Sequence, residues 1–292
     1  MKLVERTDID LTKWDHQVSD SIVENIFQYS WYLDAVCTNW AALITDDYKT
    51  ILPVPFTKKL GVKQMIQAPF TREYDILGNE FSWNEALQFL ATHFKGIHFR
   101  NSEKDIIPGG KKRQHQWLDL TADFQEGYST NAKRILKKTD SFRMTETKNP
   151  SVLIDLFKQH VAHKIDTISA ADVVSLEKLM CESLKHKTGE LWSVYAGDEL
   201  VAGGFFLLDK KRVTYLKGAS TEASKKAGAM YFLMDQAMLR YKATYNTFDF
   251  GGSEIDTVAG FYHKFGAQDR AYYDYTIDDL PFWFKTLKKL KR

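Results

Sequence analysis

The chain has 292 residues, of which 44% are apolar and 27% are charged, and its net charge is +2. This composition is typical of a globular protein and excludes a disordered chain, which would have far fewer apolar residues. The small net charge predicts no general affinity for nucleic acid, which usually accompanies a larger basic excess. No uncharged apolar run approaches the ~20 residues that span a bilayer, and the N-terminus lacks a signal-peptide core. Because Cys37 and Cys181 lie far apart in apolar-periodic segments, we expect buried thiols and a cytoplasmic location.

The first half of the chain alternates helical and strand-like patterns. Helical periodicity covers 15–37, and a second helix is predicted at 82–94, where Ser82 and Glu85 form a capping box. The strand-like segments of this half are 40–46, 50–56, 62–70, 96–101 and 115–121. A basic linker helix is predicted within 122–140.

The second half repeats this order. Its predicted strands are 142–148, a hairpin over 191–209, and the segments 212–219, 247–252 and 270–277. Its predicted helices are 150–163, 169–186, 228–241 and a short one in 259–267. This order predicts an α/β fold with helices on the faces of the sheets, organised as two domains, 1–139 and 140–292.

The segment 220–229, STEASKKAGA, joins a predicted strand to a long helix. We expect a loop in which Lys225, Lys226, Ala227, Gly228 and Ala229 combine positive charge with free backbone N–H groups. The helix dipole adds roughly half a positive charge there, so that a pyrophosphate would be well held. The alternative is a solvated lysine pair beside a helix cap.

Three residues near the end of the chain are candidates for acid–base chemistry. Tyr262 can supply a proton to a leaving thiolate, although a packed aromatic residue has the same pattern. Asp249 and Glu254 flank the pair Gly251-Gly252 and can draw a proton from an attacking amine. For Glu254 the alternative is a surface charge.

Other patterns are weaker. His160 and His163 lack a third ligand, and we therefore predict no metal site. Ser253 lacks the Gly-x-Ser-x-Gly elbow of serine hydrolases. Basic residues recur in the linker at helical spacing, where they can meet phosphates or simply be solvated; these residues are Lys133, Arg134, Lys137 and Lys138. The C-terminus, PFWFKTLKKLKR, is interpreted either as a contact with an anionic membrane surface or as a terminal helix docked by Phe282, Trp283 and Phe284.

The order of elements over 142–277 resembles that of the GCN5-related N-acetyltransferase (GNAT) superfamily. STEASKKAGAM is similar to the donor loop of that family, with Lys225 and Gly228 at its first basic and first glycine positions, and with Met230 at the final small position. AGFYHKFGA is similar to the family's Ala-x-x-Phe-Tyr-x-Lys-x-Gly segment. This resemblance implies that Tyr262 is the general acid.

The whole chain more closely resembles the Fem-type branch, in which two GNAT domains stand in tandem. YSTNAKRILKKT is similar to the linker of that branch, and FDFGGS with the following Phe-Gly segment is similar to its last motif. The resemblance implies two tandem GNAT-like domains, each a mixed, mostly antiparallel sheet flanked by helices. Tyr262 stands where the Fem branch has lysine, which favours thioester chemistry over transfer-RNA-dependent chemistry.

From this resemblance we expect an N-acyltransferase that moves an acyl group, most simply acetyl, from acyl-coenzyme A to a primary amine on a small molecule or peptide. Strand backbone at Lys217, Gly218 and Ala219 would hold the pantetheine arm. One alternative is a Fem-type transferase that uses aminoacyl-transfer RNA on a peptidoglycan precursor. Another is a degenerate GNAT pair that binds a partner. This alternative is suggested by Met230, which replaces the final small residue of the donor loop.

Overall fold

The computed structural model describes residues 1–22, 24–161, 168–252 and 255–290, the side chains of 287–290 excepted. The chain divides into two compact units. Unit 1 comprises Met1–Arg113 and Ala271–Arg292, and unit 2 comprises Gln114–Arg270. The predicted domains have other limits, and that division stays a prediction. Within the described ranges, no helix is both long enough and apolar enough to cross a membrane.

Unit 1 is built on a mixed sheet. Its strands, numbered along the whole chain, are β1 (Lys2–Glu5), β2 (Trp40–Ile44), β3 (Ile51–Lys59), β4 (Val62–Met65), β5 (Gly96–Ser102) and β12 (Gln268–Asp278). They lie in the order β1-β2-β3-β4-β5-β12; β4 and β5 are parallel, and the other neighbours are antiparallel. Its helices are α1 (Leu11–Asp20), α2 (Ser30–Val36), α3 (Trp83–His93) and α10 (Phe282–Leu290).

Unit 2 has the same plan. Its strands are β6 (Lys111–Asp119), β7 (Phe142–Thr147), β8 (Gly189–Ala196), β9 (Glu199–Leu208), β10 (Arg212–Ser220) and β11 (Thr247–Asp249). They lie in the order β7-β8-β9-β10-β11-β6; β10 and β11 are parallel, and the other pairs are antiparallel. Its helices are α4 (Thr130–Leu136), α5 (Pro150–His160), α6 (Ala170–Lys185), α7 (Glu222–Ala227), α8 (Ala229–Tyr241) and α9 (Asp256–His263).

The last strand of each sheet comes from the opposite part of the sequence. The final strand, which the sequence analysis placed in the second half, pairs with β5. The strand at 115–121, which it placed in the first half, lies in β6 and pairs with β11. The alternation of apolar residues reports that a strand exists, but the partner of that strand depends on contacts distant in sequence.

The predicted helix at 15–37 is two helices. α1 begins after Asp10, whose side chain accepts a hydrogen bond from the Lys13 amide, and it ends at Asp20. The Asn25 side chain accepts from the Phe27 amide in the connection. Such a local side-chain bond competes with helical hydrogen bonding, and α2 begins only at Ser30.

The core of unit 2 forms around α8. One face of this helix is apolar and fully buried; its members include Leu233, Met234, Ala237 and Met238. Phe248 of β11 and Val213 of β10 belong to the same core. α8 is thereby fixed beside the two parallel strands.

Candidate functional site

The parallel strands β10 and β11 separate soon after they meet. They pair only over Arg212–Thr214 and Thr247–Asp249, whereas β10 continues to Ser220 along β9. A bulge lies between Tyr215 and Lys217, at the point of separation. Beyond it, no strand among the described residues pairs with the edge of β10 that faced β11. Such an edge presents backbone donors and acceptors to an extended ligand.

The predicted backbone site at Lys217, Gly218 and Ala219 lies on this part of β10. The Tyr215 hydroxyl occupies the space beside Gly218, where a Cβ atom would overlap it. The Lys217 side chain lies over the Phe157 ring of α5, with Nζ 5.6 Å from the ring centroid, and burial lowers its pKa. The Lys217 ammonium group therefore packs against α5. Only the backbone of Lys217 lies along the open edge of β10.

The predicted donor loop is partly helical. Thr221 caps α7 by accepting a hydrogen bond from the Ser224 amide at 3.2 Å, and Gly228 ends the helix with φ +94°. Threonine before a helix and glycine after it are typical caps, and α7 carries Glu222 in its first turn and lysines in its last. The Lys225 amide donates to the Thr221 carbonyl and the Gly228 amide to the Lys225 carbonyl, so these N–H groups already have partners.

The first turn of α8 has N–H groups without a helical partner, although Ala229 at its start is fully buried. This helix begins directly after Gly228, and no described side chain caps it. The first-turn amides, at Ala229, Met230 and Tyr231, have no acceptor within a helix. Lys225 and Lys226 are exposed at the end of α7, immediately before this turn.

The linker helix α4 lies against this turn. A Cβ atom at Gly228 would come within 2.5 Å of Cγ2 of Ile135 and 3.4 Å of Cγ2 of Thr139. The basic residues of the linker are all exposed; they are Lys133, Arg134, Lys137 and Lys138. The linker thus buries its apolar side beside Gly228 and leaves its cations in solvent.

Tyr262 lies in α9 and is 7% exposed. Its ring stacks on Phe250 at 4.8 Å, and its hydroxyl makes no hydrogen bond to any described residue. Burial, and then the charge of Asp249, raise the pKa of Tyr262 well above its usual value. Burial, and then Tyr262, likewise raise the pKa of Tyr215, so the two phenols lie close to each other.

Asp249 ends β11 and is 1% exposed. Its Oδ1 accepts a hydrogen bond from the Gly251 amide at 2.9 Å and lies 3.3 Å from Nδ1 of His115. Its Oδ2 lies 3.9 Å from Nη1 of Arg212. Several donors therefore hold this carboxylate in place. Glu254, the other predicted carboxylate, lies outside the described residues.

His115 is a site residue that the sequence analysis missed. It lies in β6, and its side chain reaches Asp249 because β6 pairs with β11. The predicted strand at 115–121 contained His115, but nothing local indicated that β11 is its neighbour. Gly252, with φ +80°, passes so close that a Cβ atom there would lie 2.6 Å from Cβ of His115.

Two buried polar atoms near Asp249 have no hydrogen-bond partner among the described residues. They are Oγ1 of Thr214 and Nε1 of Trp117. In the sheet, Thr214 lies opposite Asp249 on one side and Trp117 lies opposite it on the other. Buried polar atoms of this kind usually bind water or a ligand. The described part of the chain contains no group of three or more potential metal-ligating side chains.

Residues 130–264 match the family model of the acetyltransferase (GNAT) domain. These residues are a GNAT domain. The match covers β10, α8 and Tyr262 but not β6, which carries His115. The expectation of an acyltransferase is confirmed. No curated protein matches the sequence significantly.

Solved structures extend the likeness from the GNAT domain to the whole chain. FemX is 11% identical at a TM-score of 0.65, with 99% of both chains covered. A tandem GNAT protein from the clavulanic acid biosynthesis pathway is 9% identical at a TM-score of 0.56, with 96% of this chain and 99% of that chain covered. The C-terminal domain of a putative lysylphosphatidylglycerol synthetase from Agrobacterium fabrum is 11% identical at a TM-score of 0.57, with coverages of 91% and 92%. These similarities show the fold, and the predicted tandem GNAT fold of the Fem type is confirmed.

Proposed function

We propose that the protein is an N-acyltransferase that moves an acyl group, most simply acetyl, from coenzyme A to a primary amine. Two features together carry this proposal. The start of α8 has no side-chain cap, and the edge of β10 is open beyond its short pairing with β11. The first feature suits the phosphates of the donor, and the second suits its extended pantetheine arm.

The corresponding helix of unit 1 has a different start. α3 also follows a strand of a parallel pair, but the Ser82 side chain and Glu85 form a capping box at its first turn. A side chain thus uses one of its first-turn amides, and the Glu85 carboxylate would repel a phosphate. α8 has neither a side-chain cap nor an acidic residue in its first turn. This contrast supports unit 2 as the donor-binding unit.

In the proposed complex, a pyrophosphate oxygen accepts a hydrogen bond from the amide of Met230, which is half-buried, whereas Ala229 is fully buried. Lys225 and Lys226 add positive charge at the rim, with Ala227 and Gly228 forming the backbone of the turn. The thioester lies beside Lys217, Gly218 and Ala219, where backbone N–H groups can polarise its carbonyl.

Tyr262 then acts on the leaving sulfur. A thiol has a pKa of about 8.5, whereas burial and Asp249 raise the pKa of Tyr262 above that of a free phenol. The phenol therefore stays protonated at neutral pH. It stabilises the departing thiolate through a hydrogen bond, and full transfer of its proton would be uphill. Asp249 and Glu254 are the carboxylates proposed to assist deprotonation of the amine.

Calorimetric titration with coenzyme A, acetyl-coenzyme A and charged transfer RNA tests the proposal. We expect coenzyme A to bind, and the double variant Lys225→Ala/Lys226→Ala to bind it more weakly. Lys58→Ala/Lys59→Ala, an exposed lysine pair in unit 1, is the matched control and should keep full affinity. Absence of coenzyme A binding to the unaltered chain would contradict the proposal.

Two other functions would give different titrations. The exposed cations of the linker motivate a Fem-type transferase that uses aminoacyl-transfer RNA, for which binding of charged transfer RNA would weaken steeply with salt. A degenerate pair acting as a binding module would bind neither donor. Met230, in place of a small residue, motivates that reading.

We also propose that the C-terminal helix contacts an anionic membrane surface. Phe282 is 86% and Trp283 is 48% exposed, whereas only Phe284 of this group is buried. The sequence that follows is basic, with Lys285, Lys288, Lys289, Lys291 and Arg292. Aromatic residues beside a cationic run favour anionic lipid. The protein should then sediment with phosphatidylglycerol vesicles and not with phosphatidylcholine vesicles. The substitution Phe282→Ser should lower the fraction of protein that sediments.

A further inference from the structure

We propose that His115 accepts the proton of the attacking amine and that Asp249 is its positioning residue. This inference deepens the proposed N-acyltransferase function and depends on it. It assigns the proton acceptor to β6, a strand that lies before the residues matched by the GNAT family model, 130–264.

Asp249 is poorly suited to remove the proton itself. Its Oδ1 accepts from the Gly251 amide and contacts His115, and its Oδ2 faces Arg212. A carboxylate with these partners, at 1% exposure, is fixed in orientation, and both of its oxygens face other groups. It is therefore suited to orienting a neighbouring group.

The contact with Asp249 determines which nitrogen of His115 carries the proton. A carboxylate oxygen only accepts, so Nδ1 of His115 must donate across the 3.3 Å contact. In the neutral ring, Nε2 is then the basic nitrogen. A buried carboxylate that fixes the tautomer also stabilises the imidazolium ion that forms when the ring takes a proton.

The double-glycine turn places His115 next to the separation of β10 and β11. Gly251 lies against the Tyr215 carbonyl oxygen, where a Cβ atom would overlap it, and Gly252 lies against His115. Neither glycine has a side chain, and this allows the backbone to pass close to both Tyr215 and His115. Tyr262 and the proposed proton acceptor share Asp249 as a neighbour, because after burial it is the charge of Asp249 that raises the pKa of Tyr262.

Other charged groups surround the imidazole. Arg212 of β10 contacts Asp249 from the far side, at 3.9 Å. Asp269, at the start of β12, accepts from the Gln116 side chain at 2.8 Å and lies 3.0 Å from Nε2 of His263. The pKa of Asp269 is lowered chiefly by the Gln116 bond, and His115 contributes to the shift. Two carboxylates thus favour a transient positive charge on His115.

The reaction needs no reactant other than the amine and the thioester. The amine nitrogen forms a bond to the thioester carbonyl carbon, and its proton passes to Nε2 of His115. The carbon–sulfur bond then breaks, with Tyr262 bonded to the departing sulfur. The thiolate takes up the proton that the amine lost, and the products are an amide and free coenzyme A.

The test uses the full chain with acetyl-coenzyme A and a mixture of ethanolamine, glucosamine, lysine and spermidine, with release of free thiol as the readout. For His115→Gln we expect kcat to fall by ~10²–10⁴-fold, the usual contribution of a general base. The affinity for coenzyme A should not change. In the unaltered chain kcat should fall at acid pH as one group is protonated, and the variant should lose this dependence. His93→Gln, a change in an exposed histidine of α3, is the matched control.

A second measurement does not depend on the folding of a variant. Nitrogen-15 NMR of the unaltered chain should show the proton of His115 on Nδ1 at pH 8, and Asp249→Asn should change this tautomer. A proton on Nε2, or full turnover by a folded His115→Gln chain with an unchanged pH profile, would overturn the inference alone. No thiol release by the unaltered chain with any of the amines would overturn the proposed function and this inference with it.

Discussion

The change Tyr262→Phe separates the chemical role of this residue from its packing role. The hydroxyl makes no hydrogen bond to any described residue, and the ring stacks on Phe250 at 4.8 Å, a contact that phenylalanine retains. We therefore expect the free energy of unfolding to change by no more than about 0.5 kcal/mol. If the hydroxyl binds the departing thiolate, the variant loses a hydrogen bond to a charged group, worth about 1.5–3 kcal/mol.

That loss corresponds to a fall in kcat of about 10- to 160-fold. The assay measures thiol release from acetyl-coenzyme A at saturating amine, together with thermal unfolding of both proteins and calorimetric titration with coenzyme A. We expect a lower kcat with unchanged stability and unchanged donor affinity. A stable variant with full kcat at every pH would refute the role of Tyr262 on the leaving sulfur.

Three further predictions concern the same region. Gly228→Ala should destabilise the protein by roughly 2 kcal/mol, since Gly228 has φ +94° and a Cβ atom would press on Ile135; equal denaturant midpoints for variant and parent would contradict this. Thr214→Val should stabilise the protein by about 1 kcal/mol, because it removes a buried hydroxyl without a partner in the described chain; a lower melting temperature would show that the hydroxyl is satisfied in solution. Burial raises the pKa values of Tyr215 and Tyr262 in the folded state, so their contribution to stability should be complete below about pH 10 and should be lost as the pH rises further. Thermal unfolding at increasing pH measures this loss. A weaker alkaline decline in Tyr262→Phe than in the parent would support the prediction, and an identical decline would contradict it.

Local patterns were sufficient to predict most helices and strands. The capping box of Ser82 and Glu85 is local in sequence, and it is present as predicted. The segment 220–229 was wrongly predicted to be a loop, although Thr221 and Gly228 are typical caps at its two ends. The lysines and glycine of this segment are typical both of a phosphate loop and of a helix C-terminus, so composition did not distinguish the two.

Strand pairing could not be predicted in the same way. β12 and β6 each pair with a strand distant in sequence, and no turn motif or alternation encodes that choice. His115 was missed for this reason, because its contact with Asp249 joins residues 134 positions apart. The Fem-type resemblance supplied the fold class, and the geometry around Asp249 required the structure.

Whether the donor phosphates bind the start of α8 can be measured by an NMR titration with coenzyme A. We predict that the amide resonances of Ala229, Met230 and Tyr231 shift most, while those of Trp83 and Asn84 at the capped start of α3 do not move. Binding of coenzyme A that leaves the α8 amides unchanged, or shifts the α3 amides equally, would contradict the claim.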